Sequence, residues 1–213
     1  MVKFPLTIAP EGVRWFSGLI AVSAILLLFS GVAGGIAAIL AIGAALFFRV
    51  PRRNPPQGTG LILSPADGKV VEIQEVAEGQ FLKDRCNRIS IFLSIFDVHM
   101  NYAPAGGTIE WIDYKKGNFH WAFEPKASES NENQRIGIST PAGKILVRQI
   151  AGTVARRLVL SKKILDKVSQ GEIIGMIKFG SRVEIYLPRQ FPIRVKRGDR
   201  VAGGLTVLAE VRP

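Results

Sequence analysis

Cysteine and histidine are nearly missing from this chain of 213 residues. The single cysteine, Cys86, rules out an intrachain disulfide and any cysteine-cluster metal site. Two histidines, His99 and His120, are too few for a histidine-rich centre, so no metal is expected. Thiol usage this sparse fits a reducing compartment. Familiar active-site signatures are missing as well. No Gly-x-Ser-x-Gly elbow supports a serine hydrolase, and neither a Walker loop nor a strand-borne Gly-x-Gly-x-x-Gly supports nucleotide binding. The basic residues are not interleaved with aromatic ones and no nucleic-acid-binding motif is present, so no nucleic-acid partner is expected.

Charge of either sign is missing between Arg14 and Arg49, a run of 34 residues. At 1.5 Å per residue a helix of that length would extend about 50 Å, against a hydrocarbon core of about 30 Å. Phe16–Phe29 and Ile36–Phe48 are strongly apolar, and Gly31, Gly34 and Gly35 interrupt them. Two short helices in a hairpin fit that division, with one long tilted helix as the alternative. The apolar stretch far exceeds a signal-peptide core of roughly 7–15 residues, and its charged leader is weak. Residues 1–50 therefore read as a membrane anchor. Arg49, Arg52 and Arg53 follow it directly, which places the remaining domain on the cytoplasmic side of the cell's inner membrane.

Acid is in short supply elsewhere. The chain carries a net charge of +11, of which residues 1–50 contribute +2 and residues 51–213 the other +9. Beside a hydrophobic anchor, that excess points to an anionic lipid surface. From Leu61 onward, short apolar or alternating runs are separated by turn residues. Leu61–Leu63, Lys69–Val76, Arg88–Ile95, Thr108–Tyr114, Arg135–Ser139 and Lys144–Ile150 read as strands. Short helices are expected at most around Asn118–Phe123 and Ser161–Leu165. Two Gly–acid pairs, Gly171-Glu172 and Gly198-Asp199, stand where a turn wants positive φ. Such turns resemble those of biotinyl- and lipoyl-type barrels. The expected fold is mainly β, a small barrel or sandwich with few helices, preceded by the embedded helical segment.

Three stretches can carry chemistry. Ser64-Pro65-Ala66-Asp67-Gly68 reads first as a turn whose carboxylate bonds nearby amides. Asp97-Val98-His99, before Pro104, follows an apolar strand and holds a histidine where a proton-transfer group could sit. Gly180-Ser181 precedes the alternating run Arg182-Val183-Glu184-Ile185 and alone would be an ordinary turn. In this order the three stretches, with the Asn-Glu-rich segment Lys126–Asn133, resemble the phosphatidylserine decarboxylase family across nearly all of residues 55–213. Tyr102 stands where longer members carry a second histidine, and Phe-Gly-Ser-Arg replaces their Leu-Gly-Ser-Thr. Both features are similar to the compact bacterial branch.

The resemblance implies a proenzyme cut between Gly180 and Ser181 into chains 1–180 and 181–213, which stay associated. Ser181 would attack the Gly180 carbonyl, and β-elimination from the resulting ester would leave a dehydroalanine. Its hydrolysis, with loss of ammonia, gives a covalent pyruvoyl group, the implied cofactor. His99, oriented by Asp67, is the implied base, and His99 would serve more than one step. The implied activity is decarboxylation of phosphatidylserine, a membrane phospholipid, to phosphatidylethanolamine. Arg182 is a candidate head-group ligand, with Arg189 and Arg194 further off, and a homo-oligomer stays open. The competing reading is a membrane-anchored lipoyl-like adaptor without catalysis, although Lys178 lacks the surroundings of a carrier lysine.

Overall fold

The computed structural model describes residues 6–58, 60–118, 130–152, 157–178 and 181–211. The chain divides into two compact units, Met1–Arg52 and Arg53–Pro213.

In the first unit, helices α1 (Pro10–Leu27) and α2 (Gly31–Phe47) form a hairpin. The glycine-bearing break becomes the turn, and Ser30 caps α2 by accepting from the Ala33 amide at 3.3 Å. Ser23 Oγ donates to the Gly34 carbonyl at 2.8 Å, tying the helices together. Gly34 lies against Leu27 so closely that a side chain there would overlap it. Strands β1 (Leu6–Ile8) and β2 (Arg49–Pro51) pair antiparallel and close the hairpin's open end. The two-helix alternative is therefore the one adopted. α1 is long and apolar enough to cross a membrane, while α2 is one residue shorter and carries no charge.

The second unit is built on an eight-stranded sheet. Its members are β4 (Gly68–Glu78), β5 (Asp84–Leu93), β7 (Gly107–Lys115), β8 (Asn133–Thr140), β9 (Gly143–Ala151), β11 (Lys167–Val168), β13 (Ser181–Pro188) and β14 (Arg200–Val201). They lie in the order β11-β7-β8-β9-β13-β5-β4-β14, with each neighbouring pair antiparallel. A three-stranded sheet sets β12 (Ile173–Ile177) between β10 (Leu158–Leu160) and β6 (Met100–Tyr102). β15 (Val207–Glu210) pairs with β3 (Leu61–Leu63).

Alternation decides which side of each strand meets the core. Ile89, Ile91 and Leu93 of β5, Ile145 and Val147 of β9, and Val183, Ile185 and Leu187 of β13 all enter one buried cluster. The strands expected from sequence are present, each within a few residues of its expected limits, and β5 stops at Leu93 rather than Ile95. Gly171 and Gly198 have φ of 74° and 101°, the left-handed turns that the Gly–acid pairs implied. One expectation fails: residues 161–165 form a turn before β11, not a helix. The other expected helix, 118–123, falls almost wholly outside the described residues.

Candidate active site

Ser181 is the first residue of β13, inside the sheet, with Leu93 of β5 on one side and Ala151 of β9 on the other. Its side chain is fully buried, and Oγ has no hydrogen-bond partner among the described residues. A buried hydroxyl normally finds a partner, so an uncommitted one is notable at this position. Gly180 lies outside the described residues, as does most of the Lys126–Asn133 segment.

Two connections bring His99 to the same end of the sheet. β12 leads through residues 178–180 into Ser181, and its last residue, Ile177, donates its amide to the His99 carbonyl at 3.1 Å. From the other direction, β5 ends at Leu93, the register partner of Ser181. The turn after it is closed by Asp97, whose Oδ2 accepts from Ser94 N at 2.8 Å and Ser94 Oγ at 2.7 Å. His99 follows two residues later. Its imidazole is fully buried, with Nδ1 2.9 Å from the Asp97 carbonyl oxygen. A carbonyl can only accept, so this contact places the proton on Nδ1 and makes Nε2 the basic nitrogen of the neutral ring.

Asp67 is placed differently from expectation. Its Oδ1 accepts from Arg53 Nη1 at 2.5 Å and from the Gly203 amide at 2.7 Å, and its Oδ2 accepts from Arg53 Nη2 at 2.8 Å. The same guanidinium donates to the Gly203 carbonyl and lies 4.9 Å over the Tyr102 ring. Asp67 thus clamps Arg53 and the Gly203 turn against β6. The group that orients Nδ1 of His99 is the Asp97 backbone, because that nitrogen has a single proton to give. Burial pushes the Tyr102 hydroxyl up to about 12, with Asp67 adding to the rise and Arg53 opposing it.

Arg182 is likewise not a surface group. It is buried, with Nη1 4.0 Å from Glu184 Oε1. Burial lowers its pKa, and the nearby Glu184 charge works the other way. Arg189 and Arg194 sit in exposed ion pairs with Glu75 and Glu210. Arg189 also follows the far end of β13, about 25 Å of strand from Ser181.

The sequence reading missed a polar row beneath Ser181. Arg135, Arg148, Glu184, Ser90 and Glu72 are register partners across β8, β9, β13, β5 and β4. Glu184 accepts from Ser90 Oγ at 3.3 Å and Tyr186 OH at 2.7 Å, and lies 3.5 Å from Arg148 Nη1. Arg148 Nε donates to Asn133 Oδ1 at 3.1 Å, Asn133 Nδ2 to the Asn131 carbonyl, and Asn131 Nδ2 to Ala151 O at 2.7 Å. Ala151 is the neighbour of Ser181, so the chain of bonds ends at the site. Gln149 adds a link from β9 to β6, donating to Asn101 Oδ1 at 2.7 Å. The signal available in sequence was the polar-apolar alternation of Arg182–Tyr186.

Comparison with known proteins is consistent along the chain. The family model for phosphatidylserine decarboxylase matches residues 40–209. A phosphatidylserine decarboxylase proenzyme from Carboxydothermus hydrogenoformans is 42% identical over 212 residues, covering 99% of this chain and 100% of the relative. A proenzyme of the same name from Symbiobacterium thermophilum is 38% identical over 96% of this chain and 95% of its own. Another, from Syntrophus aciditrophicus, is 44% identical over 78% of this chain and 81% of its own.

Proposed function

The chain belongs to the phosphatidylserine decarboxylase family, and on that premise we propose that it is made as a proenzyme which cuts itself at Gly180-Ser181. It is an enzyme that decarboxylates phosphatidylserine to phosphatidylethanolamine, which displaces the adaptor reading. The observation that carries the self-processing step is the buried, uncommitted Ser181 hydroxyl at the start of a central strand.

His99 Nε2, the basic nitrogen of its neutral ring, takes the Ser181 proton, because a serine hydroxyl is a weak nucleophile near neutral pH. Oγ bonds to the Gly180 carbonyl carbon as the Gly180–Ser181 amide breaks, moving the acyl group from nitrogen to oxygen. Loss of the Ser181 α-proton then expels the Gly180 carboxylate and frees chain 1–180. Water replaces nitrogen at Cα of the residue left behind, releasing ammonia and leaving a pyruvoyl amino terminus on chain 181–213. That group supplies an electrophilic carbonyl and an electron sink that no protein side chain offers. The buried position of Ser181 suits it, since a ketone there is kept from bulk water. In the lipid reaction His99 returns a proton to the substrate's α-carbon. Asp67 is a positioning residue: through Arg53 and Gly203 it fixes the β6 strand that follows His99. Arg182, buried beside Glu184, serves the strand beneath Ser181 rather than an open head-group contact.

The fold supports lasting association of the two chains. β13, at the head of the small chain, pairs along its length with β5 and along most of it with β9. β14 and β15 of the same chain pair with β4 and β3. The apolar hairpin supports attachment to a membrane, and Arg49 and Arg52 after it support a cytoplasmic catalytic unit. Intact mass of the purified protein tests the reading. Two chains are expected, the smaller of 33 residues, lighter than its encoded sequence by the serine-to-pyruvoyl change and labelled by a carbonyl reagent. A single unmodified chain that still decarboxylates phosphatidylserine vesicles would refute it.

A further inference from the structure

Two pairs of adjacent, well-exposed apolar side chains occur among the described residues of the second unit. Ile95 and Phe96 are 55% and 80% exposed, and Ile164 and Leu165 are 52% and 77% exposed. Single exposed apolar residues need no explanation, but a bulky pair at the tip of a turn does. The pairs lie at opposite ends of the sheet. Ile95–Phe96 follows Leu93, the register partner of Ser181, and precedes His99 by three residues. Ile164–Leu165 packs by backbone hydrogen bonds on Ile109, next to β11, toward the other end of the strands.

The Ile95–Phe96 tip is held rigidly. Asp97 closes its turn through Ser94, and Arg200 Nη1 donates to Asp97 Oδ1 at 2.9 Å. Arg200 stays 72% exposed and is the register partner of Lys69, whose other partner is Phe92. The turn carrying Lys196 and Arg197 is bonded beside Lys69, through Gly198 N to Val70 O and Val70 N to Asp199 O. Lys69, Lys196 and Arg197 are all exposed. Four cations therefore line the β4–β14 side of the tip, with Arg200 bonded to its turn. The two local acids are already engaged, Asp97 by Ser94 and Arg200, and Asp199 by the Lys196 amide. An apolar tip beside a basic edge matches the two layers of an anionic bilayer, hydrocarbon beneath phosphate.

We propose that the Ile95–Phe96 turn is a membrane wedge: it enters the acyl layer while Lys69, Lys196, Arg197 and Arg200 meet the lipid phosphates, setting the Ser181–His99 end of the sheet against the bilayer. This rests on the lipid-decarboxylase reading, because a substrate whose tails stay in the membrane needs the site at the surface. The helical anchor keeps the enzyme on the membrane, and the wedge presents the site to the head groups.

Spin labels test the geometry apart from the chemistry. Cys86 is buried and its thiol is pushed up to about 11, by burial first and then by Glu78, so it stays unlabelled at neutral pH. Phe96→Cys and Leu165→Cys, each in the full chain in vesicles containing phosphatidylserine, therefore carry one label each. The label at 96 should collide mostly with oxygen, and the label at 165 mostly with an aqueous nickel complex. A second readout uses Phe96→Asp. Its KM for phosphatidylserine, as mole fraction in the bilayer, should rise about tenfold with kcat little changed. Turnover of a short-chain monomeric phosphatidylserine should not change. A nickel-accessible label at 96 in an enzyme that still decarboxylates bilayer lipid overturns the wedge and leaves the functional reading standing. Equal losses on bilayer and monomeric substrate overturn it as well, since Phe96 would then act on the chemistry. Immersion of the label without any decarboxylation sustains the surface and overturns the functional reading.

Discussion

The two faces of β13 are both shut away from water, and they are built from opposite kinds of residue. One face offers Val183, Ile185 and Leu187 to the main core. The other offers Arg182, Glu184 and Tyr186 to a buried polar row. Burying the first face is favourable, at about 25 cal/mol per Å² of apolar surface. Burying the second removes charges from water, and their mutual attraction often does no more than balance that penalty. A strand whose sole task was stability would be better served by two apolar faces. The polar face carries Arg182, Glu184 and Tyr186 and is linked through Arg148, Asn133 and Asn131 to Ala151, the register partner of Ser181, while alternation sets Ser181 itself on the face of Val183.

The largest expected effects fall at the head of the strand. Ser181→Ala should abolish cutting and decarboxylation together, leaving one chain of about 23.3 kDa on a denaturing gel with its stability nearly unchanged. A cut Ala variant would break the assignment. His99→Ala should lower cutting, lipid turnover or both by about 100-fold or more, as loss of a general base does, measured by gel and by carbon dioxide release. Full retention of the two would remove His99 from the chemistry.

Stability comparisons belong in the Ser181→Ala background, where the chain is whole and unfolding does not involve dissociation. There Glu184→Leu should cost about 3–5 kcal/mol by chemical denaturation, because Arg148 and Arg182 keep their charge without its counterpart. Ile185→Ala, on the other face, should cost about 2–5 kcal/mol through lost burial and a cavity. The contrast sharpens in a double variant. Arg148→Met with Glu184→Leu should recover most of the Glu184→Leu loss, whereas no polar partner rescues Ile185→Ala. If the double variant is no better than the single, the row is not a charge network.

A smaller effect is expected in alkali. Cys86 is raised from 9.0 to about 11 and Tyr102 from 10.0 to about 12, each chiefly by burial. Both groups are neutral when protonated, so the folded chain holds protons that the unfolded chain gives up. Stability should be constant below about pH 9 and fall between there and about pH 12, with Cys86→Ala flattening the lower part of that slope. Smallest of all, Arg194→Ala at the exposed pair with Glu210 should change stability by less than about 1 kcal/mol.

Much of the fold could be read in advance because its strands alternate strictly or are continuously apolar. β3, β8 and β9 lie where that pattern put them. Gly171 and Gly198 could be read because glycine before an acid has few other uses than a left-handed turn. Arg148 and Glu184 could not, since each looks like a solvent-facing residue until β9 and β13 are paired in register and the outer face is covered. Part of that cover is the Gly79–Lys83 loop, where Phe81 stacks on Trp111 at 6.0 Å. Asp67 was legible as a turn residue, but not as the partner of Arg53, fourteen residues upstream and joined to it only by tertiary folding.

By itself the sequence determined the apolar segment with its glycine-bearing break, the β class of the rest and the family. Local pattern and residue chemistry are enough for each of these. Tertiary structure alone decided that the Asp97 carbonyl lies at Nδ1 of His99 while Asp67 pairs with Arg53, that Arg182 lies inside the protein, and that Ile95 and Phe96 stand out from it at the Ser181 end of the sheet. Those facts depend on which strands become neighbours and what is then covered, and a side chain's partner is settled only when the chain has closed around it.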